Sequence, residues 1–199
     1  MHVDVSIHNF ITLIFQDRIS GRMRKIVPSA FFERSTPTVA QELIGKFLVR
    51  VWEGKEVAHM ITETEAYHGF QDKASHASRG KTLRNTPMFA RAGTLYVYYT
   101  YGMHWMLNLV CGKEGFPAGV LIRGVKEIIG PARLTKALHI DKEVNGKMLG
   151  KQTGVWIEDR GVIVPPRLIQ KTPRIGIRYA DEWIHKPWRF LYTKQKGTH

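Results

Sequence analysis

The stretch TLYVYYTYGMHWMLNLVC, residues 94–111, constrains the fold most. Two runs rich in β-branched and aromatic residues, Thr94 to Thr100 and Trp105 to Cys111, flank a short turn at Tyr101, Gly102, Met103 and His104. That pattern reads as a β-hairpin with an aromatic tip. More strands of the same kind surround it. KFLVRVW (46–52) and EVAHMITETEAY (56–67) are joined by the tight turn EGK and form another hairpin, and Gly119 to Val125, VWI (155–157), RIGIR (174–178) and WRFLY (188–192) read as further strands.

Helical spacing is confined to two places. In TVAQELI, residues 38–44, Val39, Ala40, Leu43 and Ile44 share a face, Gly45 is the stop, and Thr38 with Gln41 has capping-box spacing. PARLTKALHI follows Gly130, with Pro131 suited to a first helical turn. Between these elements, residues 68–93 are polar, rich in Lys, Arg, Ser and Gly and without a sustained period, the mark of a long surface loop that carries function. The ensemble predicts an α+β fold: one mixed α/β domain with a mainly antiparallel sheet. Its expected extent is residues 23–199. Residues 1–22 have weak periodicity and read as an N-terminal extension, or as a mis-assigned start before Met23.

Charge narrows the partners. Thirty Lys and Arg against 17 Asp and Glu leave a net charge of +13, which favours a polyanion, nucleic acid first. The basic residues are spread along the chain instead of gathered on one amphipathic face, and the apolar run from Phe10 to Phe15 is too short to span a bilayer, so no membrane is expected. Cys111 is the single cysteine, which excludes disulfide frameworks and cysteine-rich metal sites within one chain; in LNLVC it reads as a buried, inert thiol. A reducing compartment follows.

In so basic a chain, Glu63 and Glu65 within an apolar strand stand out. Residues two apart on a strand share a face, so Glu63, Glu65 and Tyr67 point the same way if the strand runs regularly. Neighbouring carboxylates disfavour each other's ionisation, which would poise one as a general base. The alternative is a solvated strand face, and spacing alone leaves both open. The rings of Tyr98, Tyr99 and Tyr101, flanked by Arg84, Arg91 and Arg123, suit a wedge between base pairs or simple packing on the sheet. His76 is a poor metal ligand without companions. Asn108, an amide in an apolar strand, needs partners; it bonds backbone or reads a base. No phosphate-binding glycine loop, zinc-protease helix or serine-hydrolase elbow occurs.

Taken together, ITETEAY (61–67), ASHASRGKTLRNTPMF (74–89), GTLYVYYTYGMHWMLNLV (93–110) and GPARLTKALHID (130–141) strongly resemble the alkyladenine (3-methyladenine) DNA glycosylase family. The likeness runs from about Thr38 to about Tyr192. It implies a protruding hairpin that enters the minor groove of double-stranded DNA containing damaged purines. It also implies that Glu65 deprotonates the water attacking the sugar C1′, with Arg123 and the backbone carbonyl of Ile175 holding that water. By the same resemblance, Tyr67, His76 and Tyr98 wall a pocket around the extruded base, and Asn108 disfavours the guanine 2-amino group. Tyr101 fills the gap in the stack, and Met103, Arg84 and Arg133 join the DNA contacts. No cofactor and no metal are implied. A monomer is expected, cytoplasmic and nucleoid-associated in a bacterium or nuclear in a eukaryote. One departure is that only KEII, residues 126–129, separates the strand from Gly130, where the family usually has a longer segment, near Lys126 and Arg133. The rival readings are a non-catalytic minor-groove module and an RNA-binding protein.

Overall fold

The computed structural model describes residues 24–193; the expected extension over residues 1–22 and the alternative start at Met23 lie outside the described residues. The strands are β1 (Lys25–Ile26), β2 (Phe47–Trp52), β3 (Lys55–His68), β4 (Leu95–Thr100), β5 (His104–Val110), β6 (Ala118–Val125), β7 (Ile128–Ile129), β8 (Val155–Asp159), β9 (Ile169–Thr172) and β10 (Arg189–Tyr192). Two short helices, α1 (Thr36–Glu42) and α2 (Pro131–Ala137), accompany them. Among the described residues every strand pairing is antiparallel, in the order β1-β8-β2-β3-β6-β5-β4, with β10 beside β3, β9 beside β10 and β7 beside β6. The expected α+β class is the observed one.

β3 ties the molecule together. Its first half pairs with β2 and its second half with β6 on one edge and β10 on the other. The register shifts around Glu63, an irregularity of the β-bulge kind that bends the strand where the two ladders meet. Along the second half the faces alternate as a pleated strand requires. Thr64 and Ala66 point toward α1, where the Thr64 hydroxyl donates to the Ala40 carbonyl at 2.8 Å. Val39 and Ala40 of α1 and Leu43 just after it join Ile61, Val97, Leu107, Leu109, Val120, Ile122 and Leu134 in one buried cluster. The other face carries Glu63, Glu65 and Tyr67.

Three expectations need correction. α1 starts at Thr36, after Ser35 and with Pro37 in its first turn, and no side chain caps it, so the Thr38 and Gln41 capping box does not form. Residues 174–178 are not a strand: the chain bends at Ile175 and Gly176, the latter with φ of +79°, and the backbone groups there serve side chains instead of a ladder. The polar loop after β3 is not wholly a surface loop, because Asp72, Ala74, Ser75, Ala77, Asn85 and Met88 are buried.

The β4–β5 hairpin is where the sequence places it, with Thr100 opposite His104. Its turn closes with the Met103 N–H donating to the Thr100 carbonyl at 3.1 Å, and Tyr101 and Gly102 both take positive φ, +52° and +65°. Glycine does this freely, whereas a tyrosine held there carries about 1–2 kcal/mol of strain. The strained ring stands 81% exposed, and Met103 beside it is exposed as well.

Candidate active site

The antiparallel registers set one row of residues across five strands. Arg189 on β10 lies opposite Glu65 on β3, Glu65 opposite Leu121 on β6, Leu121 opposite Asn108 on β5, and Asn108 opposite Tyr96 on β4. Cross-strand partners share a face, so the row and its neighbours Tyr67, Tyr98, Met106 and Arg123 form one chemically active surface. A cavity of about 270 Å³ opens on it, bounded by Tyr67, Tyr96, Tyr98, Met106, Asn108, Leu121 and Arg123 from the sheet. Ala74, His76 and Met88 close it from the loop after β3, and Ile175, Gly176, Ile177 and Tyr179 from the bend before β10. Its size is at the low end for ligand pockets and suits one flat group.

Glu65 lies directly behind this cavity with no exposed side-chain surface. Its Oε1 accepts the Ile175 N–H at 2.7 Å, and its Oε2 accepts the Tyr67 hydroxyl at 2.9 Å and, more distantly, an Arg123 NH group at 3.4 Å. Burial raises its pKa above the ordinary carboxylate value, and Arg123, the Ile175 amide and Tyr67 pull against that rise. Glu63 adds to it only weakly, because its own Oε1 is held between Arg123 Nε at 3.0 Å and Arg189 Nε at 2.6 Å. Desolvation therefore does most of what the sequence reading assigned to repulsion between carboxylates. Arg123 is itself disfavoured by burial, yet Glu65 and Glu63 outweigh this and hold its pKa above the ordinary value.

The cavity wall around His76 is aromatic and neutral. Desolvation holds the His76 pKa below the ordinary imidazole value, with the Arg84 charge adding to the effect. His76 Nδ1 lies 3.1 Å from the Tyr96 hydroxyl, and its ring packs edge-on against Tyr98 at 4.5 Å. With Tyr96 as donor, the imidazole proton sits on Nε2. Burial pushes the Tyr96 hydroxyl up to about 12 and Tyr98 higher still, so both stay protonated donors. Asn85 Nδ2 donates to the His76 and Gly80 carbonyls, both at 2.9 Å, which fixes the loop that carries His76. Asn108 Nδ2 donates to the Tyr96 carbonyl at 3.2 Å, satisfying one of its two donors.

Against this geometry, the chain matches the family model described as "Methylpurine-DNA glycosylase (MPG)" over residues 30–129 and 126–196. The chain belongs to the methylpurine-DNA glycosylase family. Its relatives carry the name "Putative 3-methyladenine DNA glycosylase". That of Methanocella arvoryzae is 40% identical over 185 residues, covering 83% of this chain and 91% of its own. Those of Anaeromyxobacter dehalogenans strain 2CP-C and Legionella pneumophila strain Corby are 43% and 41% identical over 172 and 175 residues, covering 82% and 84% of this chain and 82% and 94% of theirs. The two stretches matched by the glycosylase model meet at residues 126–129. There Lys126 and Glu127 make a two-residue turn between β6 and β7, with Glu127 at φ of +75°, and α2 follows at once.

Within this glycosylase the structure gathers Tyr67, His76, Tyr98, Asn108, Tyr101, Arg123 and Ile175 around one cavity, with Glu65 beneath it. Ile175 meets Glu65 through its N–H, whereas the sequence expectation concerned its carbonyl. Arg84 lies along the hairpin, donating to the Tyr99 carbonyl at 2.7 Å and sitting 5.3 Å from the Tyr98 ring centre. Met103 is exposed at the tip, and Arg133 is exposed on α2, apart from the cavity lining. Sequence reasoning missed Tyr96, Tyr179 and Arg189. Tyr96 was legible in principle, since it alternates with Tyr98 on one strand; Tyr179 and Arg189 carry no local signal. Among the described residues no cluster of His, Cys, Asp and Glu is arranged to hold a metal, and no helix is long and apolar enough to cross a membrane.

Proposed function

We propose that this glycosylase extrudes a damaged purine from duplex DNA into the Tyr67, His76 and Tyr98 cavity and hydrolyses its N-glycosidic bond, with Glu65 as general base. The observation that carries this reading is Glu65 itself: a buried carboxylate, raised in pKa, held beneath an aromatic cavity by Arg123, Tyr67 and the Ile175 amide. Water oxygen bonds to C1′, the C1′–N bond breaks with its electron pair leaving on the base, and the water proton passes to Glu65. Positive charge builds on the sugar as the bond breaks, and anionic Glu65 stabilises it. Arg123 and the Ile175 segment, which border both Glu65 and the cavity, support the water; Tyr67 and Tyr98 stack on the base, and His76 hydrogen-bonds to it. Asn108, with one amide donor spent on Tyr96, crowds the guanine 2-amino group. Arg84, Met103 and Arg133 complete the contact with DNA, and the protein acts as a monomer wherever the DNA is held.

Base release from duplexes carrying 3-methyladenine, 7-methylguanine, hypoxanthine or ethenoadenine, with matched RNA as control, tests this directly. Release from at least one DNA duplex is expected, and none from any would overturn the reading.

Tyr101 fills the gap left by the extruded base. Aromatic stacking is worth about 1–3 kcal/mol per base, so Tyr101→Gly is expected to slow single-turnover excision from duplex by roughly ten- to a hundredfold and to affect a single-stranded lesion much less. Because glycine tolerates the turn's positive φ, the same variant should melt no lower than the parent and gain up to about 1 kcal/mol. Equal losses on both substrates would remove Tyr101 from the gap-filling role. Among the described residues no lysine lines the cavity, so borohydride added during turnover on a lesion duplex is expected to trap no covalent adduct, as befits a monofunctional hydrolase. A trapped Schiff base would establish a lyase step.

A further inference from the structure

Two loops that are distant in sequence meet behind the cavity, and a buried ion pair joins them. Arg174 NH1 and NH2 grip Asp72 Oδ2 and Oδ1 at 2.6 and 2.8 Å, and neither side chain has any exposed surface. Arg174 NH1 also donates to the Ala66 carbonyl at 2.8 Å, while its Nε is buried with no hydrogen-bond partner among the described residues. Asp72 in turn accepts the His68 and Ala74 N–H groups, both at 3.1 Å. The guanidinium lies 4.8 Å from the Tyr67 ring centre and 5.2 Å from that of Trp188.

An ion pair so deeply withdrawn from water is a poor way to gain stability, since desolvating both charges offsets their attraction, and the orphaned Nε adds a further penalty. What it fixes is direction. The residue after Arg174 is Ile175, whose N–H is the donor on Glu65 Oε1, and the ring under the guanidinium is Tyr67, whose hydroxyl is the donor on Glu65 Oε2.

We propose that Asp72 and Arg174 are positioning residues for Glu65: their buried fork aims the Ile175 amide at one carboxylate oxygen and the Tyr67 hydroxyl at the other. The proposal rests on the reading of Glu65 as general base. The groups facing Glu65 are then Arg123 from β6, Glu63 and Tyr67 from β3, Arg189 opposite it on β10, Tyr98 from β4 and the Ile175 amide, and only the last and Tyr67 depend on the fork. An exposed tie between the same two segments, Lys73 to Asp181 at 3.0 Å and to Glu182 at 3.1 Å, touches none of these.

The test is the pH profile of single-turnover excision by the full chain at saturating enzyme, with folding checked by circular dichroism at the assay temperature. Arg174→Lys keeps the charge and loses the fork. It is expected to lower the rate by up to about a hundredfold, the scale of an ångström of misplacement. It should also move the acid limb to higher pH, because an amide that favours the ionised carboxylate is lost. Lys73→Ala should change neither. The paired replacement Asp72→Asn with Arg174→Gln leaves no unpaired charge and serves if the single variant does not fold. Hydrogen exchange on the unmodified protein needs no variant, and the Ile175 amide should be among the slowly exchanging ones. A folded Arg174 variant with the parental profile, a rate loss with no shift of the limb, an equal loss in Lys73→Ala, or fast exchange at Ile175 would each overturn the proposal. Glu65→Gln, run alongside, tells this failure from that of the general base: undiminished excision there removes the base reading, while the Ile175 exchange still reports on the fork.

Discussion

Glu65→Gln is expected to lower single-turnover base excision by at least about 10³-fold while leaving affinity for a lesion duplex within a few-fold of the parent. A positioned general base contributes about 10²–10⁴ in rate, and a charge aimed at a developing cation adds to it. Binding draws on the hairpin tip and the ring faces of the aromatic wall, and of these the substitution alters only the partner of the Tyr67 hydroxyl. Stability should move little. The folded pKa of Glu65 is raised by burial, so its contribution to stability is greatest below the unfolded pKa and declines as pH rises from there through the folded value. Glutamine removes that penalty at neutral pH and also loses the attraction to Arg123. A shift in Tm of less than about 4 °C, roughly 1 kcal/mol for a chain this size, is expected. Parental excision by the glutamine variant would assign the base elsewhere, with Glu63 the first alternative.

Arg123→Leu should be the most damaging single change to the fold near the site. Arg123 stands between Glu63 and Glu65, and breaking a buried ion pair from one side costs about 3–5 kcal/mol, or roughly 6–20 °C in Tm. The sign of its pH dependence is fixed. Arg123 pulls the Glu65 pKa down against burial, so its loss lets that pKa rise further. The deficit is therefore largest where Glu65 must be ionised and narrows as pH falls and it takes up a proton. Excision should fail in step, its acid limb displaced upward. Melting curves of parent and variant from neutral to mildly acid pH check this, and a deficit that grew on acidification would contradict it.

Local pattern carried β2 to β6, β8 and β10 because each has either alternation or an apolar run, and the hairpin at residues 94–111 was legible down to its tip, whereas β1, β7 and β9, only two to four residues long, left no such pattern. The shared face of Glu63, Glu65 and Tyr67 was legible too, by simple parity. Parity did not reveal the irregularity at Glu63, which depends on how β3 meets both β2 and β6. RIGIR misled for a definite reason: Ile175 and Ile177 alternate like a strand, but the Ile175 amide is spent on Glu65 and Arg174 is drawn inward by Asp72. Asp72 looked like an ordinary loop acid because its partner lies 102 residues away in sequence. Glu65 itself shows the limit most clearly. Spacing alone favoured the inert reading, and family resemblance supplied the role; its depth and its three donors appear only once the chain is folded.

The placement of Glu65 inside a row of five strands, second from its β10 end, bears on how the protein tolerates change. A desolvated carboxylate is an unwelcome guest in any core, and it persists only where the surrounding structure has stability in reserve. β3 is paired on both edges at this point, by β10 and by β6, so the guest is lodged where withdrawal would break two ladders at once. Substitutions on outlying strands such as β1 or β9 can therefore accumulate without disturbing the carboxylate until the reserve is exhausted. Loss of activity from such changes should then arrive as a threshold, not a gradient.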